Sequence, residues 1–313
     1  MKKRNLGNSE LEVSPLAFGG NVFGWTVDEP SAFILLDQLI AAGGNFIDTA
    51  DVYSRWVPGN KGGESETIIG NWLKSRGKRK EVIIATKVGM EMSATKTGLS
   101  KKYIFQAVED SLQRLQTDYI DLYQSHCDDT NTPLEETLDA YAELIKQGKV
   151  RTIGASNFTV SRLAEALQLS KKFGYPPYQS VQPEYNLYDR EDYEKNLEQF
   201  CLDNNLGVIC YYSLASGFLS GKYRSTKDLS QSPRGQGVQK YLTDRGFRIL
   251  DALDKAAKEY NATPTQIALA WLMARPSITA PIASATNPTQ LNDLIAATKL
   301  ELSKATIAEL EKL

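Results

Sequence analysis

The chain has 313 residues, of which 42% are hydrophobic and 24% charged, and its 36 basic side chains nearly balance its 38 acidic ones. This composition is typical of a globular protein with a large core and excludes disorder as the main state. Nucleic-acid-binding proteins usually carry a basic excess, and a membrane span needs an apolar run of about 18 residues. The sequence has neither, so we expect no nucleic-acid partner and no insertion into a membrane.

Cysteine and histidine are scarce. The three cysteines, Cys127, Cys201 and Cys210, show no Cys-x-x-Cys spacing, and His126 is the single histidine. So few cysteines, in an odd number, fit a reducing compartment better than a disulfide framework, and a histidine-based zinc site would need more ligands. The N-terminus also lacks the apolar core of a secretion signal. We therefore expect a cytoplasmic protein without a catalytic metal.

Short apolar runs alternate with longer amphipathic stretches along the chain. The runs predict strands buried on both faces at residues 15–18, 46–48, 82–85, 119–123, 152–155, 180–182, 207–210 and 278–282. Helical spacing of apolar residues predicts helices at 31–42, 64–74, 103–115, 133–146, 160–173, 192–204, 264–274 and 288–297. This alternation favours an α/β fold, a (β/α)8 or TIM barrel in a single domain over 1–313. The alternative, an open doubly wound sheet, would normally carry a Gly-x-Gly-x-x-Gly turn, and none is present.

Two segments lie outside the alternation. Residues 4–13 predict a β-hairpin that turns at Gly7–Asn8 and closes the bottom of the barrel. Residues 213–242 are rich in Gly, Ser and Lys and show little periodicity. Loops of this length are usually functional lids or disordered. We expect this one on the C-terminal face of the barrel, where active sites of TIM barrels lie.

Four polar side chains follow, or lie at the ends of, three of the predicted strands: Asp48 and Tyr53 after the second, Lys87 after the third and His126 after the fourth. Together they suit reduction of a carbonyl group, whose oxygen gains negative charge and needs a proton donor. We expect Lys87 to lower the pKa of Tyr53 toward neutrality and Asp48 to hold Lys87 in place. His126 would orient the substrate oxygen or share in the proton transfer.

Each of these residues also has a simpler explanation. Tyr53 could be a packing residue, Asp48 could cap a turn, and His126 could be a hydrogen-bonded structural residue. Lys87 could lie at the surface, or could form a Schiff base as in an aldolase. The convergence of four such groups on one end of a barrel favours the catalytic interpretation.

Four motifs, in this order, resemble the aldo-keto reductase family, and the resemblance extends from about Leu6 to the C-terminus. They are residues 43–53 (GGNFIDTADVY), 84–87 (IATK), 118–126 (DYIDLYQSH) and 148–158 (GKVRTIGASNF). The resemblance implies a (β/α)8 barrel that binds a nicotinamide coenzyme without a Rossmann domain. It implies a catalytic tetrad of Asp48, Tyr53, Lys87 and His126, with Tyr53 as the proton donor. The chain is also similar to potassium channel β-subunits, so a coenzyme-binding regulatory or sensing subunit with little turnover is the alternative function.

The resemblance further implies coenzyme contacts after the later strands. The nicotinamide carboxamide would be held by Ser156, Asn157 and Gln182, and the ring would stack on Tyr211. The diphosphate would be held by the loop residues Leu214, Ser216, Gly217, Leu219 and Lys222. The adenosine end would lie against Ser284, Thr286, Gln290 and Asp293.

Residues 283–293 contain no Lys or Arg, although many members of the family use one there to bind the 2′-phosphate of NADP. We still expect NADP(H), with NAD(H) or dual use as the alternative, because cations of the long loop could reach the phosphate. These cations are Lys222, Arg224, Lys227 and Arg234.

The substrate is expected to be a small aldehyde or ketone in an apolar pocket lined by Trp25, Trp56 and Cys127. Cys127 stands where many members of the family have an aromatic residue, which would reshape that pocket. Neither a physiological substrate nor an oligomeric state is indicated by any motif.

Overall fold

A computed structural model describes residues 1–313. Its strands are β1 (Arg4–Asn5), β2 (Glu12–Val13), β3 (Ala17–Gly19), β4 (Phe46–Asp48), β5 (Ile83–Val88), β6 (Ile120–Ser125), β7 (Val150–Ser156), β8 (Ser180–Gln182), β9 (Gly207–Val208) and β10 (Ile282–Ala283). Its helices are α1 (Glu29–Ala41), α2 (Glu64–Arg76), α3 (Lys101–Leu115), α4 (Leu134–Lys146), α5 (Val160–Phe173), α6 (Glu198–Asp203), α7 (Gly235–Val238), α8 (Asp244–Glu259), α9 (Pro264–Ala274), α10 (Pro288–Ala297) and α11 (Lys304–Leu310). None of the helices is long and apolar enough to cross a membrane.

Strands β3 to β10 form one parallel sheet in the order β10-β3-β4-β5-β6-β7-β8-β9. Its two edges also meet, because Ile282 N donates to Cys210 O at 2.8 Å and Ala280 N donates to Val208 O at 3.1 Å. Val208 and Ile278 form a parallel bridge at the same place. The sheet is thereby closed, and the predicted (β/α)8 barrel is confirmed.

The hairpin β1–β2 closes the bottom of the barrel, as predicted. Its side chains Leu6, Leu11 and Val13 are buried with apolar residues from the lower ends of the barrel strands. Gly7 has a φ of +58°, and a Cβ added there would lie 2.2 Å from the carbonyl oxygen of Gln179. Only glycine fits so close an approach in the left-handed region.

Three helices have the bounds that the sequence predicts, and each of them begins with a side-chain cap. Helices α5, α9 and α10 begin and end at the residues expected from the sequence. Each starts after a side chain, Thr159, Thr263 or Asn287, that accepts a hydrogen bond from the backbone N–H three residues later. Such residues satisfy N–H groups that have no partner within the helix, so they mark its beginning in the sequence.

The structure differs from the predicted elements in three places. The helix expected at 192–204 is present, but a π-helical stretch, Tyr193–Leu197, directly precedes the short α6 within it. Helices α8 and α11 were not expected, although Thr243 caps α8 and buried residues recur along it at helical spacing. The segment 213–242 is a series of short helical turns, including α7, anchored by buried side chains such as Phe218 and Tyr241.

Candidate active site

The four predicted catalytic side chains lie at one end of the barrel. Asp48 is the last residue of β4, Lys87 lies near the end of β5, and His126 directly follows β6. Tyr53 is in the turn after β4. Because parallel strands end at the same edge of the sheet, residues far apart in the sequence meet here.

The Lys87 ammonium group is completely buried and is surrounded by three acceptors. Its Nζ lies 2.7 Å from Asp48 Oδ2, 2.8 Å from Thr49 O and 3.0 Å from the Tyr53 hydroxyl oxygen. An ammonium group has three N–H bonds, so each is satisfied. The cation is therefore fixed in position against the oxygen of Tyr53.

Burial raises the pKa of Tyr53 to about 12, although Lys87 acts in the opposite direction. The expected shift toward neutrality is therefore wrong, because the sequence argument included the cation but not the burial. Burial also disfavours the charge on Lys87, but Asp48 and Tyr53 outweigh it and leave the pKa of Lys87 above its usual value. At neutral pH the site thus presents a protonated phenol beside a cation.

His126 faces the same space as Tyr53. The two ring centroids are 6.0 Å apart, with the rings nearly perpendicular. Burial and the Lys87 charge hold the pKa of His126 well below its usual value, so the imidazole is neutral. A neutral imidazole donates a hydrogen bond through its N–H group but is a poor proton source. This favours the orienting role of His126 over a share in the proton transfer.

The residues expected to hold a carboxamide lie beside the tetrad. A chain of hydrogen bonds of 2.9 Å each runs from Gln182 Nε2 to Asp48 Oδ1, from Ser156 Oγ to Gln182 O, from Asn157 Nδ2 to His126 O, and from the Tyr211 hydroxyl to Asn157 Oδ1. The tetrad and the expected coenzyme residues thus form one connected polar network at the ends of neighbouring strands.

A cavity of about 630 Å³ opens above this network and is lined by 27 residues. Lys87 does not line the cavity, but it contacts Asp48 and Tyr53, which do. The predicted residues in the lining are Asp48, Tyr53, Trp56, His126, Ser156, Asn157, Gln182, Tyr211, Leu214, Ser216, Gly217, Lys222, Ser284, Thr286 and Gln290. A second cavity, of about 880 Å³, lies beyond Asn157 and Tyr211 and contains no residue of the tetrad.

The comparison with protein families decides the assignment. The model of the Aldo/keto reductase family matches residues 15–313. The chain belongs to this family.

Several proteins resemble this aldo-keto reductase over most of their length. "Uncharacterized oxidoreductase YrpG" of Bacillus subtilis (strain 168) is 35% identical over 312 residues, covering 97% of this chain and 93% of that protein. "Protein tas" of Escherichia coli (strain K12) is 32% identical and covers 99% and 97%. "Aldo-keto reductase YhdN" of Bacillus subtilis is 33% identical and covers 91% and 84%. The protein is thus an oxidoreductase of a family that uses nicotinamide coenzymes.

Besides Lys87, four predicted site residues of this aldo-keto reductase lie outside the lining of the cavity. Trp25 packs edge-on behind Trp56, with 5.7 Å between the ring centroids. Leu219 is completely buried, and Cys127 is half-buried with the pKa of its thiol raised by burial. The carboxylate of Asp293 accepts hydrogen bonds from the side chains of Thr263 and Gln266. Trp25 therefore supports the pocket wall, and Asp293 joins α10 to α9.

The lining also contains residues that were not predicted: Asn21, Val22, Thr26, Met90, Tyr212, Ser213, Gln231, Ser232, Pro233, Ile282 and Ala283. Most of them belong to loops. The residues at 231–233 could have been predicted, because segment 213–242 was expected on the C-terminal face of the barrel. Of the four cations considered on that segment, Arg234 and Lys222 line the cavity. Arg224 instead pairs with Asp254 at 2.9 Å.

The turn at Ser216 and Gly217 has the shape expected for an anion site. Both residues have positive φ, 58° and 97°, and a Cβ on Gly217 would lie 3.5 Å from Cε of Lys222. Nη2 of Arg234 is buried without a hydrogen-bond partner and belongs to the same lining. Lys222 and a concave backbone fit the diphosphate of a nicotinamide coenzyme, and Arg234 is a second cation in the same lining.

Proposed function

We propose that this aldo-keto reductase catalyses the reversible, NADP(H)-dependent reduction of an aldehyde or ketone to an alcohol. The observation that carries the proposal is the buried Lys87 ammonium, 3.0 Å from the hydroxyl oxygen of Tyr53, which lines the cavity with His126. A protonated phenol in this position gives its proton to a carbonyl oxygen as that oxygen gains charge. The adjacent cation stabilises the phenolate that remains.

The nicotinamide coenzyme supplies the hydride when it is bound. Ser156, Asn157 and Gln182 would hold its carboxamide, Tyr211 its ring face, and the turn at Ser216–Gly217 with Lys222 its diphosphate. The neutral His126 donates a hydrogen bond to the substrate oxygen and holds it against Tyr53. Tyr53 gives its proton in reduction and takes it back in oxidation. Asp48 keeps Lys87 charged and in place throughout.

The charges around the cavity support a preference for NADP(H). The adenosine end offers only neutral groups, and both the N–H and the hydroxyl of Thr286 donate to Oε1 of Gln290, which leaves the Gln290 amide N–H₂ as a donor. A phosphate needs countercharge as well as donors. Arg234, whose guanidinium has a buried and unpartnered nitrogen, is the cation we propose for the additional phosphate.

Replacing Lys222 with methionine is expected to raise the Kd of both NADPH and NADH about tenfold. A charge-assisted hydrogen bond to the diphosphate, which the two coenzymes share, contributes about 1.5 kcal/mol or more. Fluorescence titration measures both constants, with Lys255→Met, an exposed lysine of α8, as the control. Loss of affinity for NADPH alone would place Lys222 at the 2′-phosphate instead.

The pH dependence of the two directions is expected to differ. With the pKa of Tyr53 raised to about 12 and that of His126 lowered, neither group titrates between about pH 7 and about pH 9. In this range kcat/KM for reduction, which needs the protonated phenol, should stay level. In oxidation Tyr53 must act as a base, so kcat/KM should rise about tenfold per pH unit. A fall in the reduction rate with a midpoint near neutrality would contradict these assignments.

The direct test of the proposed activity is oxidation of NADPH in the presence of a reactive aromatic aldehyde, with NADH run in parallel. We expect turnover with NADPH and slower turnover with NADH. Absence of binding to either coenzyme would overturn the proposal.

A further inference from the structure

Two consecutive residues at the start of α2, Ser65 and Glu66, lie directly behind Lys87. Both are completely buried, and neither lines the cavity. A glutamate is almost never fully buried unless its charge is paired, so its presence here calls for a physical explanation.

Ser65 holds one of the three acceptors of the Lys87 ammonium. Its hydroxyl donates to Gly20 O at 2.7 Å and lies 2.8 Å from Oγ1 of Thr49. Because the single hydroxyl proton of Ser65 is used toward Gly20, Thr49 is the donor in the second contact. The carbonyl of this same Thr49 accepts from Lys87 Nζ at 2.8 Å. Ser65 therefore fixes the residue to which the ammonium is bound.

Glu66 holds the strand that carries Lys87. Its Oε1 accepts from the hydroxyl of Thr86 at 2.5 Å, and its Oε2 accepts from Nε of Arg114 on α3 at 2.7 Å. Thr86 directly precedes Lys87 on β5, and alternate side chains of a strand point to opposite faces. The carboxylate thus ties the outer face of β5 to α2 and α3 at the level of the ammonium.

The charge of Glu66 is paired with that of Arg114 on α3. Asp51 is buried nearby with no partner for either carboxylate oxygen. Burial and the charge of Glu66 raise the pKa of Asp51 well above its usual value. Burial opposes the charge of Arg114, but Glu66 holds its pKa above the usual value. Because Glu66 contacts Thr86 and Arg114, its charge lies on the face of β5 opposite to the Lys87 side chain.

We propose that Glu66, together with Ser65, is a positioning residue of the reaction: through Thr86 and Thr49 it sets the place of Lys87 Nζ against the oxygen of Tyr53. This rests on the proposed function, since the place of Lys87 matters to turnover only if Tyr53 moves a proton. Glu66 touches no reacting atom. A displacement of about 1 Å in a catalytic group is enough to lower a rate about a hundredfold.

The test compares Glu66→Gln and Thr86→Val with Asp121→Asn. Asp121 is a matched control because it is also buried and paired, with Arg79 at 2.7 Å and Arg151 at 2.6 Å, near the beginning of β6. It also accepts from Ile84 N on β5 at 3.0 Å, so it holds the same strand three residues before Lys87. We expect the first two variants to lower kcat for reduction about tenfold to a hundredfold. Their KM for the aldehyde and Kd for NADPH should change less than about twofold. Asp121→Asn should lower the melting temperature at least as much and leave kcat unchanged.

Wild-type enzyme, assayed alongside, separates the two proposals. An inactive wild type would overturn both. An active wild type with Glu66→Gln and Thr86→Val turning over at the wild-type rate, or with Asp121→Asn losing as much kcat, would overturn only the positioning role. If Glu66→Gln does not fold, Thr86→Val decides alone, because it keeps the ion pair of Glu66 with Arg114.

Discussion

Replacing Tyr53 with phenylalanine is expected to lower kcat for carbonyl reduction about a thousandfold. The substitution removes the only hydroxyl that both lines the cavity and contacts Lys87, while the ring remains to pack against Trp56. General acid catalysis by a positioned side chain contributes about 100- to 10,000-fold, so its loss should dominate. The Kd of NADPH should change less than about twofold, because the expected coenzyme contacts are made by other residues.

The matched control for this variant is Tyr260→Phe. It removes a hydroxyl that accepts a hydrogen bond from Ser303 N at 2.8 Å, far along the chain from the tetrad. It should retain full turnover. Steady-state assays at saturating NADPH measure both variants. A Tyr53→Phe enzyme within about threefold of the wild-type rate would show that the proton comes from another group, since the loss expected for a general acid is far larger.

Replacing Lys87 with methionine is expected to remove both stability and activity. It leaves the Asp48 carboxylate, 1% exposed, without its counter-ion, and removing one partner of a buried ion pair destabilises a protein by about 3–5 kcal/mol. Turnover should also fall about a hundredfold or more, because the pKa of Tyr53 rises further when the cation is absent and no charge stabilises its phenolate.

The double variant Asp48→Asn/Lys87→Met separates the two effects. Removing both charges relieves the unpaired carboxylate, so about 2 kcal/mol of the lost free energy of unfolding should return. Turnover should stay as low as in Lys87→Met. Urea denaturation and steady-state assays measure these quantities. Recovery of activity together with stability would mean that Lys87 acts only through the fold.

The positions of three of the four tetrad residues were predictable, because one geometric rule applies to them. Asp48, Lys87 and His126 each follow or end a buried strand, and the ends of parallel strands meet at one edge of a closed sheet. The bounds of α5, α9 and α10 were predictable because the spacing of apolar residues and the caps that begin these helices are both local in the chain.

What could not be predicted depends on packing between distant segments. The pKa of Tyr53 is set mainly by its burial, which depends on how loops pack around it. Trp25 lies behind Trp56, and Arg234 lies over the ring of Trp25 at 5.3 Å; neither arrangement follows from residue type. Asp293 turns toward Thr263 because of how α10 packs on α9. The sequence therefore does not determine which side chains from distant segments come into contact.

The central claim, hydride transfer between a nicotinamide and a carbonyl at the Tyr53 site, is tested most directly by isotope transfer. The enzyme is incubated with an aromatic aldehyde and NADPH deuterated at the reactive carbon of the nicotinamide, and the product is analysed by mass spectrometry. We expect an alcohol that carries the deuterium on its carbinol carbon. Coenzyme binding without labelled alcohol would contradict this account and favour a sensing subunit, and a carbonyl compound fixed to Lys87 by borohydride would favour an aldolase.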